Sequence, residues 1–196
     1  MPSPKTIILA SANPHKIEEL RQVLAPMEIE LKSTADYPGK NDVEEDRPDL
    51  EGNALKKARF WFQKTGIPSL ADDTGLEVDA LDGAPGVYSA RFAGEGATYE
   101  DNVNKLLAEL EGKKNRSAQF RTVIAYVTGK EELLFEGICR GEIIREKRGD
   151  KGFGYDPVFV PENHTKTFAE LSSEEKNKIS HRGRAMQKFI AHIKKG

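Results

Sequence analysis

Cysteine is almost missing from this chain of 196 residues, which contains Cys139 alone. A single thiol forms no disulfide within the chain and provides too few ligands for a thiolate metal cluster. Long apolar runs are missing as well, since none approaches the roughly 20 residues of a membrane-spanning helix. The N-terminus also lacks the apolar core of a signal peptide. We therefore expect a cytoplasmic protein with no membrane partner.

The composition is typical of a globular protein, with 37% hydrophobic and 32% charged residues. This length suffices for one sizeable core, so we expect a single domain over residues 1–196 without a separate linker. The net charge of -2 is unevenly distributed, because acids dominate between Glu28 and Glu51 and bases dominate after Ser172. These segments either bind a metal and a polyanion side by side or form two solvated faces.

The first motif is a strand followed by a helix start. Thr6 to Ala10 is typical of a buried strand, and Asn13 and Pro14 suit the N-cap and first position of a helix. Lys16 lies in the first helical turn, where the helix dipole disfavours a cation unless an anion is bound. With the hydroxyl of Ser11, this arrangement indicates a phosphate site. The alternative is that Lys16 extends into solvent.

A second motif places two adjacent carboxylates, Asp72 and Asp73, directly after the short apolar run that begins at Ser69. Neighbouring side chains of a strand point to opposite faces, so the two acids are expected to have different tasks. The alternative is a solvated turn, since Asp, Thr and Gly are ordinary turn residues.

The remaining pattern alternates strands with helices and contains one long hairpin. We predict helices over 50–64, 100–110 and 181–194, a hairpin of strands 118–128 and 133–145, a short strand over 157–160, and irregular loops over 36–47 and 83–91. These elements predict an α/β fold with a central mixed β-sheet flanked by helices.

Six motifs occur in one order along the chain. They are Ser11-x-Asn13-x-x-Lys16-x-x-Glu19, Glu45 ahead of Asn53-Ala54-x-x-Lys57-Ala58, Ala71-Asp72-Asp73-Thr74-Gly75-Leu76, Gly83-x-Pro85-Gly86-x-Tyr88-Ser89-Ala90-Arg91, Gly152-Phe153-Gly154-Tyr155-Asp156-Pro157, and Glu175-Lys176-Asn177-x-x-Ser180-His181-Arg182. Over almost its whole length the sequence resembles the inosine triphosphate pyrophosphatase family. It departs at Gly52, where many members have Glu, and we assign no role to an acid there.

The resemblance implies an elongated α/β fold of two lobes, with the substrate in the cleft between them, and a homodimer. It also implies hydrolysis of ITP, dITP, XTP and dXTP to nucleoside monophosphate and pyrophosphate, which keeps deaminated bases out of DNA and RNA. The implied cofactor is Mg2+, a hard cation that takes carboxylate, phosphate and water oxygens.

The same resemblance assigns roles to individual residues. Asp73 is the expected general base and, with Glu45, a metal ligand, and Asp72 lies close to the metal. Lys16 and Lys57 are expected to hold the triphosphate, with Ser11 and Asn13 beside them and Arg91 a weaker candidate that is otherwise a surface residue. Thr74 is expected to contact the substrate.

For the purine, either Phe153 or Tyr155 is expected to stack on the base, and Gly154 lets the backbone come close. The residues expected around the purine and ribose are Asp156, Lys176, His181 and Arg182. A donor such as Arg182 would donate a hydrogen bond to the 6-oxygen of hypoxanthine, whereas the amino group of adenine offers no acceptor at that position. Without the resemblance, His181 and Arg182 read as a helix-start pair in surface salt bridges.

Two other functions stay open. One is a nucleotide pyrophosphatase of the septum-formation-inhibitor (Maf) type, against which the motifs at 153–156 and 180–182 argue. The other is a non-enzymatic nucleotide or nucleic-acid binding protein that uses the basic C-terminal helix. The negative net charge argues against the second, so we expect no stable nucleic-acid complex.

Overall fold

The computed structural model describes residues 6–38 and 43–195. Residues 39–42, part of the predicted loop 36–47, lie outside the described residues. In the described part of the chain, no helix is both long enough and apolar enough to cross a membrane.

The strands form one mixed sheet. They are β1 (Thr6–Leu9), β2 (Glu30–Ser33), β3 (Ser69–Val78), β4 (Pro85–Gly86), β5 (Ser117–Val127), β6 (Glu132–Ile143) and β7 (Phe159–Pro161). Their order is β2-β1-β3-β5-β6-β7, and β4 pairs with β3. β1 runs parallel to β2 and β3, with Leu9 opposite Leu70, whereas β4 and β7 are antiparallel to their neighbours. The predicted α/β class with a mixed sheet is confirmed.

The helices begin where their caps predict. They are α1 (Pro14–Leu24), α2 (Leu50–Thr65), α3 (Tyr99–Glu109), α4 (Ser173–Ile179) and α5 (His181–Ile193). The side chains of Asn13, Asp49, Thr98 and Ser172 accept backbone hydrogen bonds at the starts of the first four. Gly66 ends α2 in the left-handed conformation that a residue without a Cβ adopts at low cost.

The structure corrects three local predictions. β3 continues through Asp72 and Asp73 to Val78, so the alternative of a solvated turn there is wrong. The loop over 83–91 contains β4 and a short 3-10 helix, Ser89–Arg91, because Gly86 pairs with Leu76 of β3. The short strand begins at Phe159, since Pro157 lies in a 3-10 turn, where the missing N–H of proline is tolerated.

The chain forms two compact units. The first consists of Met1–Asp73, Thr122–Gly137 and Arg182–Gly196, and the second of Thr74–Arg121 and Ile138–His181. The expectation of a single domain stays a prediction.

The first unit has a core centred on Phe189 of α5. Its ring packs edge-on against Tyr126, with centroids 5.1 Å apart, and against Phe135 at 5.6 Å. The buried apolar side chains of this core are Ile7, Leu9, Leu20, Leu24, Leu70, Ile124, Tyr126, Ala185, Met186, Phe189 and Ile193. Residues of β1, β3, α1 and α5 therefore share one hydrophobic cluster, which fixes β1 and the beginning of β3.

The second unit has a core of stacked aromatic rings. Phe120 packs against Phe159 at 4.8 Å and against Phe168 at 5.9 Å. The ring of His181 lies parallel to Phe120, with centroids 4.5 Å apart. His181 is thus held by the core of this unit and is not a surface residue.

We expect Phe189→Ala to lower the free energy of unfolding by about 3 to 5 kcal/mol, because it empties the centre of the first core. Urea denaturation followed by the fluorescence of Trp61, the single and fully buried tryptophan, measures the loss. Phe60→Ala is the matched control, since Phe60 is 37% exposed and its loss should cost less than about 1 kcal/mol. Equal losses in the two variants would contradict the placement of the core.

Candidate active site

Asp72 is a fully buried carboxylate in β3 of the first unit. One of its oxygens lies 3.0 Å from the ammonium of Lys16, and the other accepts a hydrogen bond from Arg182 Nε at 3.0 Å. Burial alone would raise the pKa of Asp72, but Lys16, Arg182 and Lys57 outweigh it and hold the pKa far below the ordinary value. Asp72 is therefore a permanent anion. Because Lys16 is committed to this pair, the alternative in which it extends into solvent is wrong.

Arg182 is buried at the start of α5 and carries two ion pairs. Besides Asp72, it donates from Nη1 to Glu19 Oε2 of α1 at 2.5 Å. Burial opposes its charge, but Glu19 and Asp72 raise its pKa above the ordinary value. The alternative of surface salt bridges for Arg182 is wrong, since only 3% of the residue is exposed. Its predicted contact with a purine stays a prediction.

Asp73 and Glu45 share the ammonium of Lys57. Lys57 Nζ lies 2.7 Å from Glu45 Oε1 and 3.0 Å from Asp73 Oδ1, and it also donates to the backbone oxygen of Asp72 at 2.9 Å. Burial alone would lower the pKa of Lys57, but the carboxylates of Asp73, Glu45 and Asp72 raise it. The structure therefore brings together the two predicted metal ligands and one predicted phosphate contact, all within the first unit.

The second oxygen of Asp73 has no hydrogen-bond partner among the described residues, although it is buried. Burial raises the pKa of Asp73, Lys57 opposes this effect, and Glu45 adds to it. An unbonded buried carboxylate oxygen beside a second carboxylate suits a hard divalent cation. No group of three His, Cys, Asp or Glu side chains within residues 6–38 and 43–195 suits a metal. Mg2+ bound here would thus depend on Glu45, Asp73, water and phosphate oxygens.

The start of α1 holds the other predicted phosphate contacts. Asn13 Oδ1 accepts hydrogen bonds from the backbone N–H groups of His15 at 3.0 Å and Lys16 at 3.4 Å. Ser11 Oγ accepts from the N–H of Asn13 at 3.2 Å. Ser11 and Asn13 therefore shape the turn between β1 and α1, and their contact with a triphosphate stays a prediction.

In the second unit, Asp156 organises the glycine-rich loop. Its Oδ2 accepts from the N–H of Phe153 at 2.8 Å and from Lys176 Nζ at 2.7 Å, and both Asp156 and Lys176 are buried. A Cβ at Gly152 would lie 2.0 Å from the same oxygen, and Gly152 has a φ of +74°. Only glycine therefore lets the loop close around Asp156.

The two predicted stacking residues differ in their surroundings. Tyr155 is buried, and its hydroxyl donates to the backbone oxygen of Ser89 at 2.8 Å. Burial raises the pKa of Tyr155. Phe153 is only partly buried, with Lys176 Nζ 5.0 Å from its ring centroid and the ring of Tyr99 at 5.8 Å. Phe153 is thus the better placed of the two to stack on a base.

Thr74 and Gly154 also belong to the second unit. Thr74 is half-buried in β3, and Gly154 has a φ of +62° with open space where a Cβ would lie. Their substrate contacts stay predictions. A separate cavity of about 540 Å3 in this unit, lined by residues that include Ser117, Arg140 and His164, contains none of the predicted site residues.

Sequence reasoning gave no role to Glu19, Ser89 or Tyr99. Glu19 was visible only as part of a motif, and its partner Arg182 lies 163 positions away. Ser89 accepts from the N–H of Leu76 and donates to the backbone of Gly86, which ties β3 to the 83–91 loop. Such long-range bonds leave no periodic signal in the sequence.

Known proteins resemble this chain over nearly its whole length. A family model described as the Ham1 family matches residues 7–192. A dITP/XTP pyrophosphatase of Desulfotalea psychrophila is 51% identical over 186 residues, which cover 94% of this chain and 83% of the relative. A dITP/XTP pyrophosphatase of Flavobacterium johnsoniae is 52% identical over 184 residues, covering 94% of this chain and 95% of the relative.

Solved structures show the same fold. The Ham1 protein of Staphylococcus aureus superposes with a TM-score of 0.88 at 39% identity, covering 97% of this chain and 98% of that one. A HAM1 protein of Coxiella burnetii gives a TM-score of 0.88 at 41% identity, covering 97% and 99%. The family resemblance seen in the motifs is therefore confirmed, and the chain belongs to the Ham1 family.

Proposed function

We propose that this protein hydrolyses the triphosphates of deaminated purines, namely ITP, dITP, XTP and dXTP, to nucleoside monophosphate and pyrophosphate. The observation that carries the proposal is the buried Asp73 carboxylate, which keeps one unbonded oxygen beside Lys57 and Glu45. The names of the relatives, dITP/XTP pyrophosphatases at about half identity over nearly the whole chain, support it.

The cations of the first unit would bind the triphosphate. Lys57 lies between Glu45 and Asp73, and Lys16 remains 17% exposed while paired with Asp72. A phosphate oxygen that approaches either ammonium gains a charge-assisted hydrogen bond. Ser11 and Asn13 would position the turn from which Lys16 extends, and Thr74 would add a hydroxyl.

Asp73 would act as the general base that takes a proton from the attacking water. Its pKa is raised by burial and by Glu45, which makes the carboxylate a better proton acceptor than an exposed Asp. Glu45 and Asp73 would hold Mg2+, which when bound offsets the charge that grows on the departing pyrophosphate. Asp72, paired with Lys16 and Arg182, keeps those cations in place without taking the proton itself.

The second unit would recognise the base. Phe153 offers a stacking surface, and the ammonium of Lys176 is buried beside it. A donor aimed at the 6-position donates a hydrogen bond to the oxygen of hypoxanthine or xanthine. Adenine presents an N–H2 there, which leaves two donors facing each other at a cost of about 1 to 3 kcal/mol. Asp156 and His181 complete the base and ribose contacts that we propose for this unit.

The proposal also includes a homodimer located in the cytoplasm. The exposed ring of Tyr88, 58% accessible in the 83–91 loop, supports a contact between copies. The single cysteine fits a reducing compartment. A sedimentation mass of one chain at micromolar concentration would count against the dimer.

The direct experiment measures pyrophosphate release from dITP, XTP, dATP and dGTP, with Mg2+ and with the metal removed by EDTA. We expect fast, Mg2+-dependent turnover of dITP and XTP alone, and a loss of about 100- to 10,000-fold in kcat for Asp73→Asn, as for removal of a general base. Asp79→Asn is the control, because Asp79 is an exposed acid just beyond the end of the same strand.

Two outcomes would contradict the proposal. A folded wild-type protein that turns over no triphosphate would reduce the family relationship to a shared fold. Full activity in Asp73→Asn would remove Asp73 from the role of base while leaving the substrate class intact.

The aromatic residues of the second unit give a separate prediction. We expect Phe153→Ala to raise KM for dITP about 5- to 100-fold, since base stacking contributes about 1 to 3 kcal/mol. Tyr155→Phe should leave KM unchanged and lower thermal stability, because it removes only the hydrogen bond to Ser89. Steady-state kinetics and thermal melts separate the two effects, and an unchanged KM in Phe153→Ala would remove Phe153 from the stacking role.

A further inference from the structure

Three consecutive residues of the acidic segment are each bound by a different residue of α2. Glu45 pairs with Lys57, Asp46 pairs with Lys56 at 2.8 Å, and the backbone of Arg47 is bound by Asn53. The segment carries one of the two proposed metal ligands. The bond that fixes the segment therefore decides where the Glu45 carboxylate lies.

We propose that Asn53 is the positioning residue for Glu45, and that it sets the affinity of the site for its divalent cation. This inference rests on the proposed function. The side chain of Asn53 is 1% exposed. Its Oδ1 accepts from the N–H of Arg47 at 3.0 Å, and its Nδ2 donates to the carbonyl of Arg47 at 3.4 Å. One buried amide thus satisfies both backbone groups of a residue two positions beyond Glu45.

The other two contacts are poor candidates for this task. The pair of Lys56 and Asp46 is exposed, at 28% and 46% of their side chains, and such pairs contribute little. Lys57 binds the Glu45 carboxylate itself, so a cation that takes this carboxylate competes with Lys57 for it. The two hydrogen bonds of Asn53 form a clamp on the backbone of Arg47. This clamp persists when the Glu45 carboxylate changes partner.

Gly52 supports the same reading. A Cβ at this position would lie 2.9 Å from Arg47 Cβ, a contact that side chains do not tolerate without movement. The segment therefore lies against the first turn of α2 more closely than any other residue at position 52 would permit.

The second unit offers a matched control. Asn102 of α3 is 2% exposed, accepts from the N–H of Ala93 at 2.7 Å and donates to the carbonyl of Ala90 at 3.1 Å. It clamps a loop in the same manner, but that loop carries no proposed metal ligand. Asn53→Leu and Asn102→Leu each remove one such clamp without a change in charge, and both add the same side-chain volume.

The test measures Mn2+ binding by electron paramagnetic resonance, with saturating α,β-methylene ITP as a non-hydrolysable probe, together with thermal melts and the Mg2+ dependence of kcat for dITP. We expect Asn53→Leu to weaken Mn2+ binding about 10-fold or more, as loss of an outer-shell partner does, and excess Mg2+ to restore kcat. Asn102→Leu should lose similar thermal stability and keep Mn2+ binding within about twofold of wild type, since it supports no metal ligand.

Unchanged Mn2+ binding in Asn53→Leu, or equal weakening in Asn102→Leu, would overturn this inference alone. A wild-type protein without Mn2+ binding and without turnover would overturn the proposed function and the inference with it. If Asn53→Leu does not fold, Gly52→Ala provides the second test, because its Cβ displaces Arg47. The same Cβ would lie 2.9 Å from the N-cap oxygen of Asp49, so the thermal melt of this variant is compared with that of Asn102→Leu. Gly52→Ala should weaken Mn2+ binding severalfold, and unchanged binding would again overturn the inference.

Discussion

The carboxylate of Asp72 imposes the main constraint on the first unit, because its side chain is fully buried and carries a charge. A buried charge without partners is too costly to persist in a folded protein. Lys16 from α1 and Arg182 from α5 supply the two cations, and Glu19 completes the pairing of Arg182. One anion on β3 thereby fixes two helices that lie more than 150 positions apart in the chain. Removing any one partner would leave a buried charge with one ion pair fewer and lower the stability.

This pairing of Asp72 also determines the character of its neighbour. Asp72 pairs with two cations, Lys16 and Arg182, whereas the described ion pair of Asp73 is with Lys57, which Glu45 binds as well. The pKa values of the two acids consequently move in opposite directions, below the ordinary value for Asp72 and above it for Asp73. Two adjacent carboxylates with different environments can divide their tasks between charge pairing and proton transfer.

The sequence predicted what depends on neighbouring residues. The helix that starts at Asn13 and Pro14 and the helices predicted over 50–64 and 100–110 begin with local hydrogen bonds, and they were placed correctly. The alternation of side chains in a strand likewise predicted separate tasks for the two acids. Partners could not be predicted where they depend on the tertiary fold. Nothing local indicates that the hydroxyl of Tyr155 reaches Ser89, so the sequence left Phe153 and Tyr155 as equal candidates for stacking on the base.

The two buried asparagines show how this chain fixes loops that have no regular partners. Each backbone N–H and C=O removed from water needs a hydrogen-bond partner. Paired strands provide these partners for each other, whereas an irregular loop has no such neighbour. A helix that presents an amide satisfies both groups at once, as Asn53 does for Arg47 and Asn102 does for Ala90 and Ala93. In α2 the close approach also requires Gly52, and glycine within a helix costs about 0.5 to 1 kcal/mol relative to alanine. The chain thus gives up helix stability at the point where the acidic segment must lie closest.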